Sequence, residues 1–290
     1  MSSITLTASK PRFFEQTLKG LQLEIGRGPT AATWANRIRA FSRSSSPPVF
    51  LLDEADFLIK QDARSRFALG SEIRALQEER LATFYLAGHL ELRAATLRYR
   101  GPFRNFAEEV TLKGLTEKAA TRLICDPIVN LGFAIHDAQA KRIYRGTAGM
   151  AALIQEFCSR LLIAQRDATT TEITDEAIEH VERMPSYLDQ TFHYFYNYDE
   201  TTLSRAVFLI VAIERRVNRA ALARILRQAG ARVSREQIDQ SLALLSSFGI
   251  LDEYTAGSYR LPALYLERAA QDRHPQGLLD EELKKLRRRR

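Results

Sequence analysis

At 290 residues, with 45% apolar and 27% charged side chains, the chain excludes a disordered polypeptide and has room for more than one packed unit. Its longest unbroken apolar run, the eight residues 206–213, is far short of the roughly 20 needed to cross a bilayer. No signal peptide precedes Lys10 and Arg12, so a cytoplasmic protein without membrane contact is expected.

The net charge of +7 is local, since Lys284, Lys285 and Arg287 to Arg290 supply six of the 42 cations and leave 36 against 35 acids. A near-neutral body followed by a basic tail over 271–290 is therefore expected, the tail solvated and able to touch phosphate backbones. Cys125 and Cys158 are too few for a disulfide framework and lack metal-ligand spacing, so they read as small buried apolar residues.

In chain order, Phe14, Leu18 and Leu21 share one face of a helix over 13–23, and Trp34, Ile38 and Phe41 one over 31–41. A serine-rich loop follows, closed by Pro47 and Pro48. Residues 49–53, Val-Phe-Leu-Leu-Asp, read as a strand suited to burial on both faces of a parallel sheet. A helix over 63–80, with Phe67, Ile73 and Leu76 inward, and a second strand over 83–87, stopped by Gly88, complete a βαβ unit.

Beyond Gly101 and Pro102, residues 109–112 suggest a short strand and then helices dominate. One runs from a Thr116 cap toward Leu131, interrupted at Pro127; others cover 138–145, 150–164 and a stretch from a Thr174 cap to about Met184. A third pattern places helices over 203–214, 219–228 and 235–248 around Val217-Asn218, with Gly230 and Ser234 as punctuation. Short strands over 250–254 and 258–261, joined by Thr255-Ala256-Gly257, close it. Three helices and then a hairpin is the order of a winged helix. No internal repeat of fixed period is present.

The most informative stretch is the strand that empties into two adjacent carboxylates, Asp53 and Glu54, with Asp56 close behind. Open α/β sheets bind ligands just outside the carboxyl ends of their strands. A carboxylate there can hold Mg²⁺ against a nucleotide's phosphates while its neighbour positions a water.

With these landmarks in order, the chain from Val49 onward resembles the AAA+-like and STAND P-loop ATPases. The resemblance makes residues 49–56 a Walker B strand, with Asp53 associated with Mg²⁺ through water and Glu54 positioning the attacking water. Phe84 to His89 resembles the next core strand, ending at the polar sensor position, which is His89. Gly101 to Phe106 resembles the loop before the lid. Thr147 to Gln155 resembles the lid segment that borders the adenine, placing Gly149 and Ala151 near ATP; Ala151 stands where the STAND group has proline.

The expected fold class is accordingly α/β, an incomplete P-loop NTPase parallel sheet followed by an all-α lid and a winged-helix domain. The boundaries are 1–112, 113–198, 199–270 and the tail over 271–290. One part of the pattern is missing. No Gly-x-x-x-x-Gly-Lys-[Ser/Thr] precedes the acid pair, and Gly26-Arg27-Gly28-Pro29-Thr30 has neither the spacing nor the lysine to cradle phosphate. The chain thus reads as a truncated or split ATPase, or one that has lost nucleotide binding; if ATP and Mg²⁺ bind, the phosphates are held by a loop from elsewhere, such as a separate P-loop-containing subunit, with another protein as the alternative partner. The alternative is a non-enzymatic winged-helix DNA-binding or regulatory protein, with Arg219, Arg224, Arg227 and Arg235 as DNA contacts and Asp252 and Glu253 opposing phosphate.

Other clusters carry less chemistry. Arg93, Arg98, Arg100 and Arg104 read as a solvated cationic face before they read as an arginine finger. His136, His180, His193 and His274 lack ligand spacing. The aromatic run Phe192, Tyr194, Phe195, Tyr196 and Tyr198 reads as packing between modules rather than base stacking.

Overall fold

A computed structural model describes residues 3–5, 10–24, 28–98, 100–166, 170–196, 201–255 and 257–288. Gly26, Arg27, Tyr198, Ala256, Arg289 and Arg290, all singled out above, lie outside the described residues. The chain divides into two compact units, Met1–Val110 and Thr111–Arg290.

The first unit contains β1 (Ser3–Thr5), α1 (Lys10–Gly20), α2 (Ala31–Ser44), β2 (Val49–Asp53), α3 (Ala55–Arg64), α4 (Ala68–Glu78), β3 (Thr83–Leu86) and α5 (Leu90–Leu97). Its three strands are parallel in the order β1-β2-β3, with Leu52 of the central strand opposite Ile4 and Leu86. The expected βαβ unit is therefore present, but β1 was hidden in a short stretch without an apolar run.

One sheet face is well covered. Phe50 and Phe84 stack at 5.0 Å, and the fully buried Trp34 sits against both and against Phe13 and Phe14. Its indole N–H donates to the Thr17 hydroxyl (2.8 Å), which donates in turn to the Phe13 carbonyl (2.8 Å), so the buried polar atoms are satisfied. The other face departs from expectation. β2 alternates instead of being buried on both sides, and Val49 (40% exposed) and Tyr85 (61%) face outward.

Two further expectations fail in this unit. The single helix over 63–80 is two helices, because Arg66 (φ 54°) and Phe67 (φ 60°) adopt left-handed backbone between them. The buried Asp62 fixes that break, accepting the N–H groups of Leu69 (3.0 Å) and Gly70 (2.7 Å) at the start of α4. Residues 109–112 form no strand. Val110 and Leu112 are 81% and 90% exposed, with no neighbouring strand to pair with among the described residues.

The second unit runs α6 (Glu117–Asn130), α7 (Asp137–Thr147), α8 (Ala151–Ala164), α9 (Asp175–Glu182), α10 (Pro185–Tyr196), α11 (Thr202–Glu214), β4 (Val217–Asn218), α12 (Arg219–Gln228), α13 (Arg235–Ser247), β5 (Asp252–Thr255), β6 (Ser258–Arg260), α14 (Leu264–Asp272) and α15 (Pro275–Arg288). Pro127 does not interrupt α6. It lies near the carboxyl end, where its carbonyl still accepts from the Leu131 N–H (3.1 Å). The strands of this unit form an antiparallel sheet in the order β4-β6-β5.

A single apolar core joins the helices before and after α11. Phe157 of α8, Tyr187 of α10 and Tyr265 of α14 meet with ring centroids 5.2–5.8 Å apart. Of the aromatic run, Phe192 and Tyr196 lie in α10 and pack, Phe192 stacking on Tyr196 at 4.8 Å and meeting Phe208 of α11.

The basic tail is corrected as well. Leu279 and Leu283 are buried on α15, which packs against α11, and Leu278 and Leu286 add to the same core. The dense charge of 280–290 concealed that helical stripe. Glu282, 1% exposed, accepts from the Tyr196 hydroxyl (3.1 Å) and from Lys285 (2.7 Å), and Arg287 donates to the Ala229 carbonyl.

Candidate functional site

The sequence of β2 ends the strand where its side chains change from apolar to acidic. Asp53 is the last strand residue and Glu54 the first beyond it, in left-handed backbone (φ 50°), from which the chain turns directly into α3. The ladder continues past both strands: the Ala87 N–H donates to Leu52 (2.8 Å), and the Ala55 N–H donates back to Ala87 (2.9 Å). That clasp fixes the backbone on either side of the acid pair. Asp53 Oδ1 accepts the Glu54 N–H (2.9 Å); both carboxylates are exposed, and Glu54 makes no side-chain cap to α3.

Asp56 has a different task. Its Oδ2 accepts the His89 N–H (2.6 Å) and its Oδ1 those of Glu91 (2.7 Å) and Leu92 (3.4 Å), so it caps α5 from another element. The His89 side chain supplies no cap of its own. A carboxylate at a helix amino terminus also meets the positive end of the helix dipole. Gly88 belongs to the same device: a Cβ there would stand 2.4 Å from Asp56 Oδ2. This role was missed in the sequence, where the signal was a helix start at Leu90 with no Ser, Thr, Asp or Asn before it.

Asp53, Glu54 and His89 thus sit at the carboxyl ends of neighbouring strands in the first unit. Hard oxygen donors in that number suit Mg²⁺, which takes one or two carboxylates and completes its shell with water and phosphate. They do not make an all-protein cage, and among the described residues no group of three or more acidic, His or Cys side chains could hold a metal by itself.

Gly149 and Ala151 belong to the second unit. Gly149 (φ 73°) lies in a tight backbone crossing, its carbonyl accepting the Leu115 N–H (2.7 Å), and a Cβ there would meet the Leu115 carbonyl at 2.3 Å. The glycine is explained by that crossing without any ligand. Ala151 is exposed in the first turn of α8.

Of the four candidate DNA-contacting arginines, Arg219 is paired with Asp239 (2.7 Å) and Arg224 is exposed. Arg227 and Arg235 join Arg232 around a cavity of about 400 Å³ between α12 and α13, floored by Leu226 and Ile238. On the hairpin, Arg260 sits 3.5 Å from Asp252 and over the Tyr254 ring. Among the thiols, burial pushes Cys158 up to about 12, which leaves it unreactive at neutral pH.

No protein-family model matches the sequence, and no curated protein matches it. Solved structures do. The Walker-type ATPase of Pyrococcus abyssi superposes with a TM-score of 0.54 at 10% identity, covering 89% of this chain and 75% of that one. The ORC2 protein of Aeropyrum pernix, in its ADPNP–ADP complexes, superposes with a TM-score of 0.53 at 10% identity, covering 98% of this chain and 78% of that one. At such identity the likeness is one of fold alone. With its small parallel sheet and helix-rich remainder, the chain has an AAA+ ATPase-like fold.

Proposed function

We propose that this chain is the acid-bearing part of a nucleotide-dependent AAA+/STAND-type ATPase, with β2 as its Walker B strand, the helices from α6 as its lid and α11 to β6 as a winged helix. The observation that carries this reading is the exposed Asp53–Glu54 pair at the carboxyl end of the central parallel strand, with Asp56 committed elsewhere. ATP and Mg²⁺ are the implied ligands, and bound Mg²⁺ supplies neutralisation of the triphosphate charge. Asp53 would hold the metal through water, Glu54 would position the attacking water, and His89 would face the phosphate from the neighbouring strand end. Gly149 and Ala151 border the base.

These 290 residues hold no phosphate-cradling loop, so on this reading it is supplied from outside them, for example by a separate P-loop-containing subunit. The sheet supports that arrangement. Parallel sheets are normally covered on both faces, yet Val49 and Tyr85 are exposed and no strand lies beyond β3 among the described residues.

Titration with Mn²⁺–ATP, followed by the electron paramagnetic resonance of free Mn²⁺, tests the acid pair. The chain alone is expected to bind weakly, Asp53→Asn to weaken binding by roughly ten-fold, and Glu54→Gln to bind as the wild type does. Metal-independent ATP binding unaffected by Asp53→Asn would remove the site. With a P-loop subunit present, Glu54→Gln is expected to retain unhydrolysed ATP.

A second reading, DNA binding through the winged helix, is favoured by the three arginines that meet between α12 and α13. If each neutralises one phosphate, log K for duplex DNA falls against log salt with a slope of about −3. Fluorescence anisotropy over a salt series measures it, and Arg227→Ala with Arg235→Ala is expected to flatten the slope. A slope near zero for the wild type sinks this reading.

A further inference from the structure

Apart from the acid pair, the surface of the first unit carries an open cavity of about 560 Å³ between the α3–α4 turn, the exposed side of α4 and the segment after α5. Its lining includes Arg66, Arg74, Arg98 and Arg100 and a single carboxylate, Glu78. Arg74 and Glu78 neutralise one another at 2.7 Å. Arg74 also donates to the carbonyls of Pro102 (3.1 Å) and Arg104 (3.0 Å), which fastens the segment after α5 to α4.

That pairing leaves the guanidinium groups of Arg66 and Arg98 with no remaining acid in the lining to balance them. Among the described residues neither Arg66 nor Arg98 has an ion-pair partner. Arg98 is nevertheless oriented, its guanidinium lying 5.0 Å over the Phe67 ring. That cation–π contact restrains the guanidinium and leaves its N–H groups for a ligand.

The backbone around the cavity is also unusual. Arg66 (φ 54°), Phe67 (φ 60°) and Arg100 (φ 62°) are all left-handed without being glycine. Such conformations persist only where the surroundings enforce them, and they gather at ligand clamps. Here the buried Asp62 enforces the turn, through the N–H groups of Leu69 and Gly70 and the Ser65 hydroxyl (3.2 Å). A cationic concavity is thus held open by a buried anchor on one side and Arg74 on the other.

We propose that this cavity is a binding site for a phosphate-bearing ligand with at least two adjacent anionic groups, gripped by Arg66 and Arg98. Guanidinium forks match phosphate oxygens in pairs, and a cavity of this volume admits a chain of phosphates. The inference does not depend on the reading of Asp53 and Glu54.

The test is calorimetric titration at low salt with EDTA present, so that any metal-dependent binding at Asp53 is silent. Inorganic tripolyphosphate and a single-stranded oligonucleotide serve as separate probes. The wild type is expected to bind at least one of them, and the Arg66→Gln, Arg98→Gln double variant to bind it about ten-fold more weakly or less. Asp53→Asn is expected to bind as the wild type does. Loss of tripolyphosphate binding alone assigns the site to free phosphate chains; loss of oligonucleotide binding assigns it to nucleic-acid backbone. An unchanged thermal midpoint shows that the double variant is folded, and Arg98→Lys, which keeps the charge but not the fork, is expected to fall between it and the wild type. Equal binding by wild type and double variant, binding lost equally in Asp53→Asn, or no binding of either probe overturns the proposal.

Discussion

Gly146→Ala is expected to lower the thermal midpoint of the second unit by roughly 5–10 °C, although the same change on an exposed helix stabilises. Replacing a mid-helix glycine by alanine ordinarily gains about 0.5–1 kcal/mol, by reducing the freedom of the unfolded chain. At this position on α7 the new Cβ would stand 2.1 Å from the Tyr265 ring, far inside van der Waals distance. The ring has nowhere to move. Phe157 stacks on it with centroids 5.2 Å apart, Tyr187 meets it edge-on, and its hydroxyl donates to Glu182 (2.9 Å). Overpacking of a closed core costs about 1–3 kcal/mol and sometimes more, and in a unit of this size each kcal/mol moves the midpoint by roughly 2–4 °C. Differential scanning calorimetry of the two proteins decides it; a midpoint that stays or rises would mean that α7 and α14 are not packed as described.

The second large effect is expected at Glu182, 5% exposed at the end of α9. It accepts two hydrogen bonds from Arg142 (2.9 Å each), one from Arg268 (2.9 Å) and one from Tyr265, so it ties α7, α9 and α14 together. Glu182→Ala leaves the buried Tyr265 phenol and the Arg268 guanidinium without this acceptor, while Arg142 keeps Glu179, at 3.6 Å. The arginines left behind reach solvent (side chains 34% and 53% exposed), so the cost is mainly that of the lost buried hydrogen bonds, about 1–3 kcal/mol, and chemical denaturation is expected to show a loss of that order.

The pH dependence follows from the same contacts. Burial pushes the Glu182 carboxyl up, but Arg142, Arg268 and Tyr265 outweigh it and hold the group below its ordinary range. A carboxyl depressed in the folded state contributes stability above its unfolded value, and that stability is lost as pH falls through the folded value. The gap between wild type and Glu182→Gln is therefore expected to be full at pH 7 and to close once the pH falls below the ordinary glutamate range, about 4.3. A gap unchanged down to pH 3 would show that the charge of Glu182 contributes nothing.

Much of the fold was legible because its signals are local. The apolar run of Val49 to Leu52 and the carboxylates after it mark a strand and its end, and Thr116, Thr174 and Ser234 each accept the N–H three residues on, as capping residues should. What escaped depends on partners distant in sequence. Phe67 keeps the helical phase of its neighbours, so nothing nearby reveals the left-handed break that Asp62 secures. Residues 109–112 have strand-forming composition but no ladder to join. The acid pair was readable as a pair, yet the division of labour was not: only the amide groups of His89, Glu91 and Leu92, some 35 residues downstream, reveal that Asp56 is spent on α5.

The outward face and free margin of β3 bear on how the isolated polypeptide behaves at the bench. A strand that ends a sheet without a partner is a template for self-association, which proteins usually suppress with lysine, proline or a bulge. Thr83-Phe84-Tyr85-Leu86 carries none of these. Among the described residues its guard is the Gln77 side chain, which accepts the Phe84 N–H at 3.3 Å and covers one amide of the row. Purified by itself and concentrated, the chain is therefore prone to oligomerise along that margin, and anything that seats there also keeps it soluble.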